Sequence, residues 1–138
     1  MLKKVSLFTI IVVLVLASLP TANVLARGNN EALEAKWDQL VTNFDRQSLT
    51  HNSVHNWVEH WLKTEKKASP SARAEIQKHL SICNSAFWGA QVIVARHAGF
   101  DSNGKVVDRV LAIKSIKDLA YYLRQHAGSV KSLREHMN

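Results

Sequence analysis

The chain has 138 residues, with 18 Lys and Arg against 11 Asp and Glu, a formal charge of +7 with neutral histidines. That length holds one domain with a real core and is too short for two. A single cysteine, Cys83, excludes an internal disulfide framework, so burial and packing must supply stability.

Lys3 and Lys4 precede an apolar run from Val5 to Leu19, and Val24-Leu25-Ala26 then places small or aliphatic residues where an export peptidase reads. Basic end, apolar middle and small-residue exit predict a secretory signal over 1–26, and hence an exported protein. Cleavage after Ala26 leaves 27–138 as a single domain of 112 residues, with 16 basic against 11 acidic side chains. The apolar run, about 15 residues, is shorter than the roughly 20 that span a bilayer. A membrane is therefore a partner only if the segment stays uncleaved as an anchor. No Leu-x-x-Cys lipidation signal is present, because the only cysteine lies deep in the mature chain.

From Glu31, the residues Leu33, Trp37, Leu40, Phe44, Gln47, His51, Val54, Val58 and Trp61 follow at steps of four and three. This spacing keeps one helical stripe facing a partner. Residues 47–53 are poor helix formers, yet the stripe keeps phase across them, which predicts one long helix over about 31–66, bent near 48–53 if anywhere. The competing arrangement is two helices with a turn there. Lys63, Lys66 and Lys67 complement the dipole at its end. Elsewhere the basic residues are scattered, as solubility requires, and favour at most a weak association with anionic polymers.

Ser69 is a good N-cap and Pro70 suits the first helical position, so a second helix starts there. Ile76, Leu80, Cys83, Phe87, Ala90, Val94 and His97 form its seam. The spacing predicts a helix over 70–97 with His97 in the last turn and Gly99 as a left-handed cap. Between Ala86 and Ala95 only Gln91 is polar, so this helix should be the most buried. Cys83, on the seam, is expected to act as a small buried apolar residue. Asn103-Gly104 is a strong turn pair, and Asp108 can cap a third helix. Ala112, Ile116, Leu119, Leu123, His126, Val130, Leu133 and Met137 predict that helix over 109–137, passing through Gly128. A shorter helix capped by Ser115 and Asp118 is the competing boundary. Three helices joined by short connections give an all-α, up-down-up three-helix bundle.

The connector His97-Ala98-Gly99-Phe100-Asp101-Ser102-Asn103-Gly104-Lys105-Val106-Val107-Asp108, leading into a helix, resembles one found in a group of exported, helix-rich bacterial proteins. The resemblance covers this connector and the three-helix layout, supports the helix boundaries and implies no activity.

Seven histidines raise the question of a metal. Matching residue levels from the two turns places His55, His79 and His126 at one height on three helices, a set able to hold zinc or copper, with Glu59 one turn from His55 as a fourth donor. No His-Glu-x-x-His or Cys-x-x-Cys signature accompanies them. His51 and Gln47, level with 83–89, instead suit a polar layer that fixes register and that must be hydrogen-bonded or hydrated. Asp101, Asn103 and Asp108 resemble a calcium loop only superficially. With Gly104 at the loop glycine, the first and twelfth ligand positions fall on Gly99 and Val110.

No nucleophile elbow, phosphate-cradling glycine loop, diagnostic carboxylate pair or nucleic-acid motif is present, and no cofactor is implied. Trp88, Val92 and Ala95 lie on the back of the second helix, away from its seam. Either the neighbouring helices wrap far enough to bury them or they form an exposed contact surface. The expectation is an exported, non-enzymatic bundle with a structural or protein-contact role in the cell envelope or outside the cell, meeting a second copy of itself or an envelope protein. The alternative is a metal- or haem-binding bundle that uses its histidines.

Overall fold

The computed structural model describes residues 30–138; the expected signal segment over 1–26 lies outside the described residues. Three helices make up almost all of the described chain: α1 (Asn30–Thr64), α2 (Pro70–Ala95) and α3 (Arg109–Met137). Their directions are fixed by the contacts between them. Phe87 stacks on Phe44 and on His51, and His55 meets Asn84, so numbers fall along α2 as they rise along α1. Tyr122 lies over Gly89 and His136 beside His79, which makes α3 antiparallel to α2. Arg109 meets Asn30 near the start of α1, and His126 meets Gln47 further along. α1 and α3 are therefore parallel, and the bundle runs up, down and up.

α1 is continuous through the weak stretch. Ser48 Oγ donates to the Phe44 carbonyl at 2.9 Å and the Gln47 amide donates to Asn43 at 3.2 Å, so both of these donors are spent inside their own helix. It ends at Thr64, two residues before the expected boundary. Arg73, one turn into α2, donates from its guanidinium to the carbonyls of Glu65, at 2.8 Å, and Leu62, occupying acceptors that a helix end leaves open. Ser69 accepts from the Ala72 amide at 3.1 Å and Asp108 from the Leu111 amide at 3.0 Å; caps of this kind each contribute about 1 kcal/mol.

α2 stops at Ala95, and His97 does not occupy a helical turn. His97 (φ 56°), Ala98 (φ 26°) and Gly99 (φ 98°) are all left-handed, which turns the chain abruptly, and His97 is exposed. The connector then folds on itself. Phe100 pairs with Val106 in an isolated antiparallel bridge, and the buried Phe100 ring stacks on Trp37 with centroids 4.4 Å apart. The Asp101 carboxylate accepts from the amides of Asn103 and Lys105.

The seams face inward as their spacing predicts, with Leu33, Val58, Ile76, Ile116, Leu119 and Leu133 sealed from solvent; each such side chain contributes roughly 1.5–3 kcal/mol through burial. Phe87 and Val94 are half-buried. The core has two apolar parts. One joins Leu33, Trp37, Leu40 and Phe44 to Phe100 and the first half of α3. The other joins Val54 and Val58 to Ile76, Leu80, Cys83, Val130 and Leu133. Between them, where 44 gives way to 54 and 123 to 130, stand His51 and His126.

α2 is less enclosed than its composition suggests, because its back face is open: Trp88 is 62% exposed and Val92 44%.

Lys36 is the reverse case, a charged residue 4% exposed whose Nζ has no hydrogen-bond partner. Burial lowers its pKa. A desolvated ammonium without a partner is a net cost, so Lys36→Met should raise stability by about 1–3 kcal/mol in urea unfolding. An unchanged or lower midpoint would show that the amine is compensated.

Candidate functional site

The polar layer is built by three helices. The seam brings His51 on α1 and His126 on α3 to face each other, with Nδ1 of His51 2.9 Å from Nε2 of His126. Nδ1 of His126 lies 2.7 Å from Oε1 of Gln47. The Gln47 oxygen can only accept, so His126 carries its proton on Nδ1, its Nε2 accepts, and His51 Nδ1 donates. Cys83 Sγ on α2 lies 3.8 Å from His51 Nδ1. Phe87 closes the layer, stacking on His51 with centroids 4.0 Å apart and tilting against His126 at 5.8 Å.

These surroundings keep the layer uncharged at neutral pH. Burial, reinforced by neighbouring His51, pushes the His126 pKa down to about 4. His51 is lowered by burial and, less, by His55. Burial pushes the Cys83 thiol up to about 11, too high for a nucleophile near neutral pH, since the thiolate is the reactive form. Hydrogen-bonded and buried, the layer can fix register, as a polar residue on a helical seam does, and it can offer nitrogen and sulfur lone pairs.

The three histidines expected at one level do not converge. His126 joins His51 and Cys83, one turn from the level of His55 and His79. His55 leans to the flank of α2, 3.4 Å from Asn84 Oδ1. His79 sits 3.6 Å from Glu75 and beside His136 on the other flank. Among the described residues two groups have ligating atoms close enough to share an ion: His51, Cys83 and His126, all buried, and Glu75, His79 and His136 near the surface. The pairing of His51 and Gln47 as a layer beside 83–89 is legible in the spacing; the arrival of His126 in it is not, because counting from a turn near Asn103 pairs Cys83 with a residue of α3 about one turn before His126.

The polar groups of the connector are met by α1 and by the connector itself. Glu34 accepts from the Val106 amide at 3.1 Å and lies 3.4 Å from Lys105 Nζ. Asp101, whose Oδ1 takes two amides, is an Asx turn, and Gly104 (φ 76°) supplies its left-handed position.

The open face of α2 is unusual in charge. No Asp, Glu, Lys or Arg occurs between Lys78 and Arg96, and Ser81, Ser85, Trp88, Val92 and Ala95 are exposed along it. At 1.5 Å per residue the uncharged stretch runs for about 25 Å. Because Phe87 stacks on Phe44 and His51, the adjacent Trp88 emerges at the level of residues 44–51, which include the exposed Leu49. No described helix is long and apolar enough to cross a membrane.

No protein-family model, curated protein or solved structure matches the chain.

Proposed function

We propose that this chain is an exported, non-enzymatic helical-bundle protein that acts by contact, in the cell envelope or outside the cell, through the Trp88, Val92 and Ala95 face, and that the first partner of this face is a second copy of the chain. The observation that carries the reading is the exposure of Trp88 on a helix whose other side is fully used by the core. Large apolar side chains grouped on a monomer surface mark contact sites. The choice of partner rests on charge: two copies of a mature chain with 16 basic against 11 acidic residues, a net +5, repel one another, and an uncharged face some four helical turns long is where they meet without opposing like charges. A two-fold pairing of α2 against α2 sets the same surface on both sides. The export half of the proposal rests on the signal-like N-terminus and on the connector's resemblance to exported helical proteins.

Sedimentation equilibrium of the purified protein should give a dimer, and Trp88→Ser should weaken it by about 30-fold or more, the loss of an interface tryptophan at ~2 kcal/mol. A strictly monomeric protein, or association indifferent to Trp88→Ser, contradicts the proposal. Trp88 is outside the core, so at concentrations low enough for the parent to be monomeric the variant should unfold at the same midpoint.

A further inference from the structure

We propose that His51, Cys83 and His126 form a buried three-coordinate site for a monovalent soft cation, copper(I), in the interior of the bundle. One donor comes from each helix, and His51, Cys83 and His126 each offer one ligand atom within 4.8 Å of the other two. Metal–ligand bonds of roughly 2.0–2.3 Å put the edges of a three-ligand site near 3.4–3.8 Å. Cys83 is already 3.8 Å from His51, and the two histidine nitrogens, 2.9 Å apart, need to part by only about half an ångström. Gln47 supplies what a ligating imidazole ordinarily has, an acceptor 2.7 Å from its other nitrogen, which holds His126 with Nε2 free to donate its lone pair.

Charge selects the ion. The donors are two neutral imidazoles and a thiolate, Phe87 covers them, and no carboxylate belongs to the group. Copper(I) with one thiolate is neutral overall, whereas zinc(II) would leave one positive charge uncompensated in an apolar interior and would lack a fourth ligand. Thiolate with imidazole is also a donor set that copper(I) accepts readily. Binding is an exchange without redox change. The Cys83 thiol gives its proton to solvent as the S–Cu bond forms, and the proton on His51 Nδ1 moves to Nε2 by way of solvent, freeing the Nδ1 lone pair. One cation enters and one proton leaves. This inference concerns the interior and is independent of the Trp88 face.

The purified, untagged protein, reduced and under anaerobic conditions, is titrated with copper(I) held by the chromophoric chelator bathocuproine disulfonate. The expected result is transfer of one copper(I) per chain, with one proton released and a near-ultraviolet thiolate-to-copper band. Cys83→Ala should abolish the band and the transfer. Gln47→Ala, which keeps all three donors, should weaken binding by about 10–100-fold, and His136→Ala, in the surface cluster, should change nothing. Circular dichroism of each variant separates loss of copper from loss of fold, and if Cys83→Ala does not fold, Gln47→Ala carries the test. No transfer from the chelator, transfer that survives Cys83→Ala in a folded protein, full-affinity binding by Gln47→Ala, or dependence on His136 overturns the proposal.

Discussion

Gly99→Ala should cost roughly 3–5 kcal/mol of stability and leave the bundle close to unfolding. Gly99 sits at φ 98° where α2 hands over to the connector, a conformation that costs an L side chain about 1–3 kcal/mol. Space adds to the penalty. A Cβ there would lie 2.4 Å from the Ala112 amide nitrogen and 2.8 Å from the Asp108 carbonyl oxygen, both backbone atoms of the first turn of α3 or its cap. That turn cannot withdraw without losing the Gly99 carbonyl, which accepts from the amides of Val107 and Asp108. Gly128 is the matched control. It lies inside α3 with nothing within 4 Å of an added Cβ, so Gly128→Ala should stabilise by about 0.5–1 kcal/mol through helix propensity alone. Urea unfolding of the pair checks both. Equal effects of the same sign would show that the close approach of the connector to α3 is wrong.

The second large effect is on pH. A histidine held neutral in the fold, with a pKa of about 4 for His126 against 6.5 in an unfolded chain, binds its proton more readily when unfolded. Its contribution to stability is complete above pH 6.5 and is lost as the pH falls from there towards 4. At ~1.4 kcal/mol per pH unit this amounts to roughly 3 kcal/mol. The lowered pKa of His51 acts in the same direction. Protonating His126 also replaces the acceptor in the His51–His126 bond with a second donor. Unfolding midpoints measured with a chelator present should therefore fall between pH 6.5 and 4, and His126→Gln should be less stable at pH 7 but have a flatter pH profile over that range. The difference between the two profiles removes what the surface carboxylates contribute. Parallel profiles would mean that His126 titrates as an exposed histidine does.

Much of this architecture is legible in residue spacing, because a stripe at steps of four and three has one physical solution, a helix with one buried side. The caps at Ser69 and Asp108 and the passage through Gly128 are local features and can be read locally. Three things are not local. The end of α2 depends on two non-glycine residues, His97 and Ala98, entering the left-handed region that side chains usually refuse, with the rest of the connector holding them there. Phe100 and Lys36 belong to no seam, yet both are buried, one by stacking on Trp37 and the other by its place beside the stripe between Leu33 and Leu40. The histidine layer depends on the relative height of α1 and α3, which the length of a connector sets only to within about a turn, since the connector folds back on itself. A shift of one turn is enough to exchange His55 for His51, and with it an implausible set of donors for a compact one. The exposure of Trp88 also depends on how far two neighbours wrap around a third helix, a property of the assembled bundle rather than of any one stretch.

The three helices meet in one neutral, hydrogen-bonded layer at His51, Gln47, Cys83 and His126, dividing the apolar interior in two. Long-range proton–nitrogen NMR of the imidazole rings, recorded from pH 8 to 3.5 in the metal-free protein, observes it directly. His126 should be neutral at pH 6 with its proton on Nδ1 and half-titrated only near pH 4, and a coupling should run from the His51 Nδ1 proton to His126 Nε2. A His126 that titrates near 6.5, or that carries its proton on Nε2, would contradict it.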